Sequence, residues 1–159
     1  MIIIIGVSGS GKTTIGKLLS EIVDAPFYDA DDFHPLSNIN KMKQNIPLND
    51  KDRLPWLATL SQKIEKWNNK GEAILACSAL KEKYREILSS TTKNILWVFL
   101  KGNFELVQTR IEKRNDHFMS KELLRSQFDA LEIPDNAITI DIELAPAEII
   151  KIIMSKIKV

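Results

Sequence analysis

The sequence has little net charge and only one cysteine. Its 22 basic and 21 acidic residues leave a formal net charge of +1, too small for an extended field that attracts nucleic acid or an anionic membrane. Recognition of any anion must therefore be local, and we expect a small-molecule partner. The single cysteine, Cys77, excludes an internal disulfide and indicates a reducing compartment. We predict a cytoplasmic protein that could form a homodimer.

Long apolar segments and repeats are also missing. The first apolar run, Ile2–Ile5, is too short for a signal peptide, no basic residue precedes it, and no later stretch reaches transmembrane length. We find no internal repeat, low-complexity tract or linker-like change in composition. A length of 159 residues with 44% hydrophobic residues is typical of one globular domain. We therefore predict a single domain over residues 1–159 without a membrane segment.

The strongest motif lies at the start of the chain. Ile2–Ile5 are four consecutive β-branched residues, typical of a strand buried on both faces. A helix is predicted from Lys12, because apolar residues recur at helical spacing after it. Between strand and helix, residues 6–13 fit the pattern G-x-x-x-x-G-K-[ST] of a phosphate-binding loop. A glycine-rich turn that merely joins the two elements is the alternative, but the strand-loop-helix context favours a nucleotide site.

The residue types of this loop suit a bound phosphate. Gly6, Gly9 and Gly11 leave room for backbone N–H groups to converge on an anion, and the first turn of the helix adds its dipole. Lys12 can reach the β- and γ-phosphates, and the Thr13 hydroxyl can ligate magnesium. The predicted nucleotide-binding residues of the loop are Gly6, Ser8, Gly9, Ser10, Gly11, Lys12, Thr13 and Thr14.

Three carboxylates, Asp29, Asp31 and Asp32, follow the next short extended segment. Ligands of open α/β sheets bind beyond the carboxyl ends of strands, and alternation along an extended chain puts Asp29 and Asp31 on the same side. One of the two could hold magnesium through water while the other takes a hydroxyl proton. Capping of the next helix or an Asx turn is the alternative for one of the three. His34 precedes a proline and is first of all a turn residue.

Two polar segments are predicted to border the substrate. Residues 34–56 contain few apolar anchors and are predicted to be a mobile substrate-covering segment. Within it, Arg53 either recognises a carboxylate or phosphate or forms a solvated pair with Asp52. Residues 110–125 carry clustered cations around a polar break at residues 115–118, and we predict a lid that closes over the phosphates. A charged helix pair on the surface is the alternative.

Buried strands and amphipathic helices alternate along the chain. Residues 73–77, 95–100 and 137–142 are apolar runs that predict further strands, and a helix predicted from Trp56 has its tryptophans in the core. Ser78 is the predicted N-cap of the helix that follows the third strand. Because the strands are apolar in runs and do not alternate with polar residues, we predict a parallel sheet of about five strands covered on both faces. This is a three-layer α/β/α fold.

Several blocks of the sequence, taken together, resemble the gluconate kinases. They are residues 6–13, 29–35, 38–42, 47–57, 77–81, 84–85, 100–104, 117–119 and 127–134. The blocks outside the phosphate loop carry the specificity, because the loop is shared by many unrelated nucleotide enzymes. The resemblance implies phosphoryl transfer from ATP, with Mg²⁺, to the 6-hydroxyl of D-gluconate, giving 6-phospho-D-gluconate. It also implies a fold like that of nucleoside monophosphate and shikimate kinases.

The resemblance implies roles for individual residues as well. Asp31 matches the carboxylate that orients or deprotonates the acceptor hydroxyl, and Asp29 matches the one near the metal. Arg110 and Arg114 fall in the lid region expected to meet the phosphates, and Arg114 joins Lys12 and Asp31 as a predicted catalytic residue. The predicted substrate-binding residues are Asp31, His34, Arg53, Ser78, Lys81 and Arg85. Ala30 and Asn103 stand where glycine and aspartate are common in that family, and neither has an assigned role.

Other nucleotide-binding proteins are alternatives to a gluconate kinase. GTP-dependent switches usually carry Asn-Lys-x-Asp and Asp-x-x-Gly motifs, and the sequence contains neither. A shikimate kinase should have a glycine cluster after the middle strand, but no glycine occurs between Gly71 and Gly102. A nucleotide kinase and a nonenzymatic ATP-binding module are the remaining alternatives.

Overall fold

The computed structural model describes residues 1–114 and 119–157, and these residues form five strands and seven α-helices. The strands are β1 (Ile2–Ile5), β2 (Phe27–Asp29), β3 (Ile74–Ala76), β4 (Leu96–Lys101) and β5 (Ile138–Asp141). The helices are α1 (Lys12–Val23), α2 (Leu36–Lys43), α3 (Asp50–Lys70), α4 (Glu82–Leu88), α5 (Phe104–Glu112), α6 (Lys121–Ala130) and α7 (Pro146–Ile157), with a 3₁₀ helix at Ala30–Phe33. Residues 115–118, the polar break of the predicted lid, lie outside the described residues.

All five strands form one parallel sheet in the order β2-β3-β1-β4-β5. Strand β1 is central, with Ile2 opposite Ile74 of β3 on one side and Leu96 of β4 on the other. Both faces of β1 are covered, which is why its sequence is apolar at every position. The predicted parallel sheet of about five strands is confirmed.

Side chains of β1 divide between two hydrophobic cores. Ile2 and Ile4 pack in a core with apolar residues of α1, α5, α6 and α7, whereas Ile3 and Ile5 pack in a second core with α3 and α4. Successive side chains of a strand point to opposite faces, so the two cores lie on opposite sides of the sheet. The predicted three-layer α/β/α arrangement is confirmed. Across the described chain, no helix combines the length and the apolar character needed to span a membrane.

Helix α3 begins at Asp50, six residues before the predicted start at Trp56. The reason is a capping box: the Asn49 side chain accepts the N–H of Asp52 at 2.8 Å, and the Asp52 carboxylate accepts the N–H of Asn49 at 3.0 Å. These two bonds satisfy backbone donors of the first turn. The helix then continues through Pro55. The spacing of Asn49 and Asp52 was a local signal for this start.

Helix α4 begins at Glu82 with Lys81 as its N-cap, so the prediction that Ser78 is the N-cap was wrong. Residues 77–80 continue as a loop after β3. In that loop the Ser78 carbonyl accepts the N–H of Gly6 at 3.4 Å, which ties the segment after β3 to the segment after β1. Ser78 is thereby held beside the phosphate loop.

Candidate active site

Three neighbouring strands end at one edge of the sheet and deliver their following residues to a single cleft of about 310 Å³. Strand β1 leads to the phosphate loop, β2 ends at Asp29 and leads to the 3₁₀ helix, and β3 leads to Cys77 and Ser78. The strands are parallel, so their carboxyl ends meet at the same edge. The predicted site residues that line this cleft are Ser8, Gly9, Gly11, Lys12, Thr13, Asp29, Asp31, His34, Arg53, Ser78 and Arg114.

The phosphate loop turns through left-handed conformations at Gly9 and Gly11, whose φ angles are 78° and 96°. A Cβ atom on Gly9 would lie 2.7 Å from Cγ1 of Ile111, so this position needs glycine for space as well as conformation. Lys12 donates from Nζ to the Val7 carbonyl at 2.9 Å. Burial lowers the pKa of Lys12, while the nearby Asp31 acts in the opposite direction. The hydrogen bond to Val7 thus fixes the Lys12 side chain within the loop.

Thr13 and Asp29 form a pair of oxygen ligands at the start of α1. The Thr13 hydroxyl donates to Oδ2 of Asp29 at 3.0 Å, and Oδ1 of Asp29 accepts the N–H of Asp31 at 3.0 Å. Asp29 therefore caps the 3₁₀ helix and faces the phosphate loop at once. Hydroxyl and carboxylate oxygens are the ligands that Mg²⁺ prefers, usually one or two of them together with substrate phosphates. This pair fits such an ion, although the described residues contain no group of three or more metal-ligating side chains.

Asp31 reaches the cleft from the 3₁₀ helix, not from the extended segment that the sequence predicted. Its carboxylate oxygen Oδ1 lies 3.9 Å from Nε2 of His34. The His34 ring stacks on Trp56, with ring centroids 4.2 Å apart and planes 13° from parallel. Burial, with Arg53 nearby, lowers the pKa of His34 to about 4. His34 is therefore neutral at pH 7.

Arg53 is anchored through one nitrogen at the mouth of the cleft. Its Nη1 donates to the Leu48 carbonyl at 2.7 Å and to the Tyr84 hydroxyl at 3.2 Å. Asp52, the partner considered from the sequence, instead accepts two hydrogen bonds from Lys41 at 2.8 and 3.0 Å. The guanidinium carbon of Arg53 also lies 5.4 Å from the centroid of the Tyr84 ring. The described hydrogen bonds of Arg53 come from Nη1, which leaves the donors on Nε and Nη2 for a ligand in the cleft.

Lys81 and Arg85, both predicted to bind substrate, do not line the cleft. Lys81 donates to Asp50 at 3.0 Å, and Asp50 also accepts from Lys83 and from the Tyr84 hydroxyl. These hydrogen bonds lower the pKa of Asp50, and the one from Lys83 has the largest effect. The cluster attaches the first turn of α3 to the start of α4.

Arg85 is buried, with 4% of its surface exposed. Its guanidinium donates to the carbonyls of Ala79 and Glu132 at 2.8 and 2.9 Å, and to the Glu82 carboxylate at 2.8 and 3.1 Å. Every nitrogen of the guanidinium is thus engaged within the protein. The structure assigns Arg85 to holding the segment before α4 against the segment after α6.

Four of the predicted nucleotide-binding residues also lie outside the lining of the cleft: Gly6, Ser10, Thr14 and Arg110. Ser10 is a buried residue of the loop itself, and Thr14 is exposed on α1. Arg110 donates from Nη2 to the Ile142 carbonyl at 2.5 Å, which joins α5 to the segment after β5. Of the two arginines predicted to meet the phosphates, Arg114 lines the cleft and Arg110 does not.

Several residues that line the cleft were not predicted as site residues, among them Trp56, Gln127 and Cys77. Trp56 was predicted to lie in the core, and it is buried, but its ring also supports His34 and borders the cleft. Gln127 of α6 reaches the phosphate loop at Ser8, and no local pattern in the sequence signals such a contact. Cys77 also lines the cleft, where burial raises the pKa of its thiol to about 12. It therefore stays protonated and is a poor nucleophile.

Comparison with known proteins places the chain among small-molecule kinases. A family model described as "Shikimate kinase" matches residues 8–157. A gluconokinase of Arabidopsis thaliana is 42% identical over 173 aligned residues, which cover 99% of this chain and 92% of the relative. The thermosensitive gluconokinase of Escherichia coli K12 is 46% identical over 133 residues, covering 83% of this chain and 71% of the relative.

A solved structure extends this likeness to three dimensions. The crystal structure of a gluconokinase from Sinorhizobium meliloti 1021 superposes with a TM-score of 0.86 at 36% identity, covering 94% of this chain and 86% of the other. Fold and sequence therefore point to the same group of proteins. The family resemblance read from the sequence blocks is confirmed.

Proposed function

The chain belongs to the gluconokinase family, and we infer that it transfers the γ-phosphoryl group of ATP to the 6-hydroxyl of D-gluconate, giving 6-phospho-D-gluconate. The observation that carries this inference is one cleft bordered by both a phosphate loop and the group Asp31, His34 and Arg53. Phosphoryl transfer needs a donor phosphate and an acceptor hydroxyl held in line. The relatives that share most of this sequence are gluconokinases, which favours gluconate over the shikimate of the matching family model.

On the nucleotide side, the backbone of residues 8–13 is proposed to hold the phosphates of ATP. Lys12 lies inside the loop with its Nζ on the Val7 carbonyl, and a modest movement of Nζ would bring this charge to the γ-phosphate. Arg114 borders the same cleft and is proposed to stabilise the charge that develops on the transferring group. Both cations act on the reacting phosphate without taking part in bond formation.

Mg²⁺ is proposed to bind at Thr13 and Asp29, the oxygen pair joined by a 3.0 Å hydrogen bond. When bound, the ion neutralises negative charge on the β- and γ-phosphate oxygens. The residues supply the site itself: the hydroxyl can turn toward an ion once it no longer donates to Asp29, and the carboxylate is already fixed by the N–H of Asp31.

On the acceptor side, Asp31 is proposed to orient the 6-hydroxyl and accept its proton as the new O–P bond forms. The described hydrogen bonds of Arg53 use Nη1, and the pair of donors on Nε and Nη2 is proposed to bind the carboxylate of gluconate. His34 and Ser78 line the same cleft and are proposed to contact the hydroxyls of gluconate. Lys81 is proposed to reach substrate only after exchange from Asp50.

A coupled assay of ADP release tests this function. We expect saturable activity with D-gluconate and ATP, and activity at least about a hundredfold lower in kcat/KM with shikimate or nucleoside monophosphates. The reason is that a site whose buried polar groups bind one acceptor leaves those groups unpaired with another. Activity with shikimate alone would reassign the enzyme. Binding of ATP in a calorimeter, with no further heat on adding gluconate and magnesium, would indicate a nonenzymatic ATP-binding module.

Cellular location and assembly need their own tests. A cytoplasmic location is proposed because ATP is available there and the one cysteine, Cys77, is a buried free thiol. Fractionation of cells measures the location.

A homodimer is proposed because Leu18 and Ile22, one turn apart on α1, are 36% and 55% exposed. Light scattering of the purified protein measures the assembly.

A further inference from the structure

Asn38 is a buried polar residue to which neither the sequence nor the proposed mechanism gives a role. It lies on α2 with 1% of its surface exposed. Its side-chain nitrogen Nδ2 contacts two atoms, the backbone carbonyl of Asp52 at 2.9 Å and Nδ1 of His34 at 3.2 Å. The residue therefore connects the start of α3 to the histidine beside Asp31.

The carbonyl of Asp52 fixes which way the Asn38 amide points. A backbone carbonyl can only accept a hydrogen bond, so the atom of Asn38 that faces it must be the NH₂ group. An amide NH₂ carries two hydrogens, and the second is directed at Nδ1 of His34. Because this group only donates, Nδ1 must be the unprotonated nitrogen that accepts. In a neutral imidazole the remaining proton then sits on Nε2.

We propose that Asn38 is a positioning residue that fixes His34 as its Nε2–H tautomer, so that a hydrogen-bond donor stands beside Asp31 for the acceptor hydroxyl. Nε2 lies 3.9 Å from Oδ1 of Asp31, and one hydroxyl oxygen can reach both atoms at ordinary hydrogen-bond lengths of about 2.8 Å. That hydroxyl would accept from His34 and donate its own hydrogen to Asp31. In the opposite tautomer, Nε2 of His34 and Oδ1 of Asp31 would both be acceptors. The one hydrogen of the hydroxyl could then satisfy only one of them.

The surroundings of His34 support a neutral donor. Arg53 from α3 adds positive charge, the ring of Trp56 covers one face, and Asp31 is the carboxylate that approaches Nε2. Burial and Arg53 both disfavour the imidazolium form. A neutral His34 can direct the hydroxyl without forming an ion pair that would weaken Asp31 as a base. The identity of the hydroxyl, that of a sugar acid, rests on the proposed function, whereas the tautomer does not.

Nitrogen-15 NMR of the histidine rings in the wild-type protein tests the proposal directly. The chain has two histidines, and the His34→Gln variant assigns the spectrum. We expect a protonated Nε2 and an unprotonated Nδ1 for His34 at pH 7. A protonated Nδ1, in either the other tautomer or the imidazolium, would overturn the proposal even if the enzyme phosphorylates gluconate normally. Conversely, absence of gluconate kinase activity would overturn the proposed function and leave this spectrum unaffected.

Variants of Asn38 test the consequence for catalysis. Asn38→Asp places an acceptor at Nδ1 and should move the ring proton there, and Asn38→Ala should let both tautomers appear. We expect kcat with gluconate to fall about tenfold in Asn38→Ala, the effect of one lost hydrogen bond, with KM for ATP unchanged. Asn40→Asp, an exposed residue of the same helix, is the matched control and should behave as wild type. An Asn38→Ala protein that folds and keeps both the wild-type tautomer and kcat would overturn the proposal, and the wild-type spectrum decides the tautomer if the variants do not fold.

Discussion

Gln127 forms two hydrogen bonds with Ser8, one through each end of its side-chain amide. Its Oε1 accepts the N–H of Ser8 at 2.8 Å, and its Nε2 donates to the Ser8 hydroxyl at 3.1 Å. The two residues are 119 positions apart in the chain. These two hydrogen bonds attach helix α6, which follows the polar break of the predicted lid, to the phosphate loop.

Replacing Gln127 by alanine should destabilise the nucleotide-free protein. Two hydrogen bonds are lost, and at about 0.5–1.5 kcal/mol each we expect the free energy of unfolding to fall by about 1–3 kcal/mol. Urea denaturation measures this change. The matched control is Gln62→Ala at an exposed position of α3, expected to change stability by less than about 0.5 kcal/mol. Equal stabilities for the two variants would show that the contact contributes nothing.

Lys12→Ala should strongly reduce turnover. Lys12 is the cation inside the phosphate loop, and loss of a charge that faces the transferring phosphate in a water-poor site removes a few kcal/mol of transition-state stabilisation, about a hundredfold or more in kcat. Steady-state kinetics with saturating ATP measure the effect. Lys17→Ala, an exposed lysine on the same helix, should be unaffected. A folded Lys12→Ala enzyme with near-normal kcat would remove Lys12 from the mechanism.

Asp31→Asn should lower turnover by roughly a hundredfold or more while changing ATP affinity little. The substitution keeps the size and one acceptor oxygen but removes the charge needed to take the hydroxyl proton. Asp32→Asn, exposed on the same 3₁₀ helix, is the control. If Asp31→Asn retains turnover and Asp29→Asn or Asp32→Asn abolishes it, the acceptor carboxylate has been assigned to the wrong aspartate.

Binding of ATP and gluconate should protect the lid segment from hydrogen exchange. The prediction applies to the amides of residues 110–114 and 119–125, because Arg114 borders the cleft and α6 contacts the phosphate loop through Gln127. Closure over the phosphates would exclude water and slow exchange there. Mass spectrometry with and without both ligands measures the difference. Unchanged exchange at saturating ligand would favour the alternative of a static, charged helix pair.

Arg85→Ala should reduce stability more than substrate affinity. The buried guanidinium bonds to two carbonyls and to Glu82, and its removal leaves the carbonyls without these donors. We expect a loss of about 2–4 kcal/mol in the free energy of unfolding, with KM for gluconate near the wild-type value. Lys66→Ala on the exposed surface of α3 serves as the control. A stable variant with a greatly raised KM for gluconate would return Arg85 to the substrate site.

Local spacing was enough to predict the phosphate loop and much of the fold. The isoleucine run of β1, the glycines of residues 6–11 and the apolar spacing of α1 are each contained in one short stretch of sequence. Each element can therefore be predicted before its distant packing partners are known. Alternation of apolar runs with helices likewise implied the parallel sheet. Even the early start of α3 had a local signal, in the spacing of Asn49 and Asp52.

Tertiary structure decided which cations face the cleft and how the polar groups are oriented. Arg53 and Arg85 are each the fourth residue of a helix, α3 and α4, in blocks whose resemblance suggests sugar-acid binding. Arg53 nevertheless borders the cleft, whereas the guanidinium of Arg85 donates to Glu82 and to the distant Glu132 carbonyl. The links between Gln127 and Ser8 and between Asn38 and the Asp52 carbonyl are of the same kind. Each depends on the meeting of segments far apart in the chain, and a buried donor or acceptor is satisfied by whichever partner the packing brings to it.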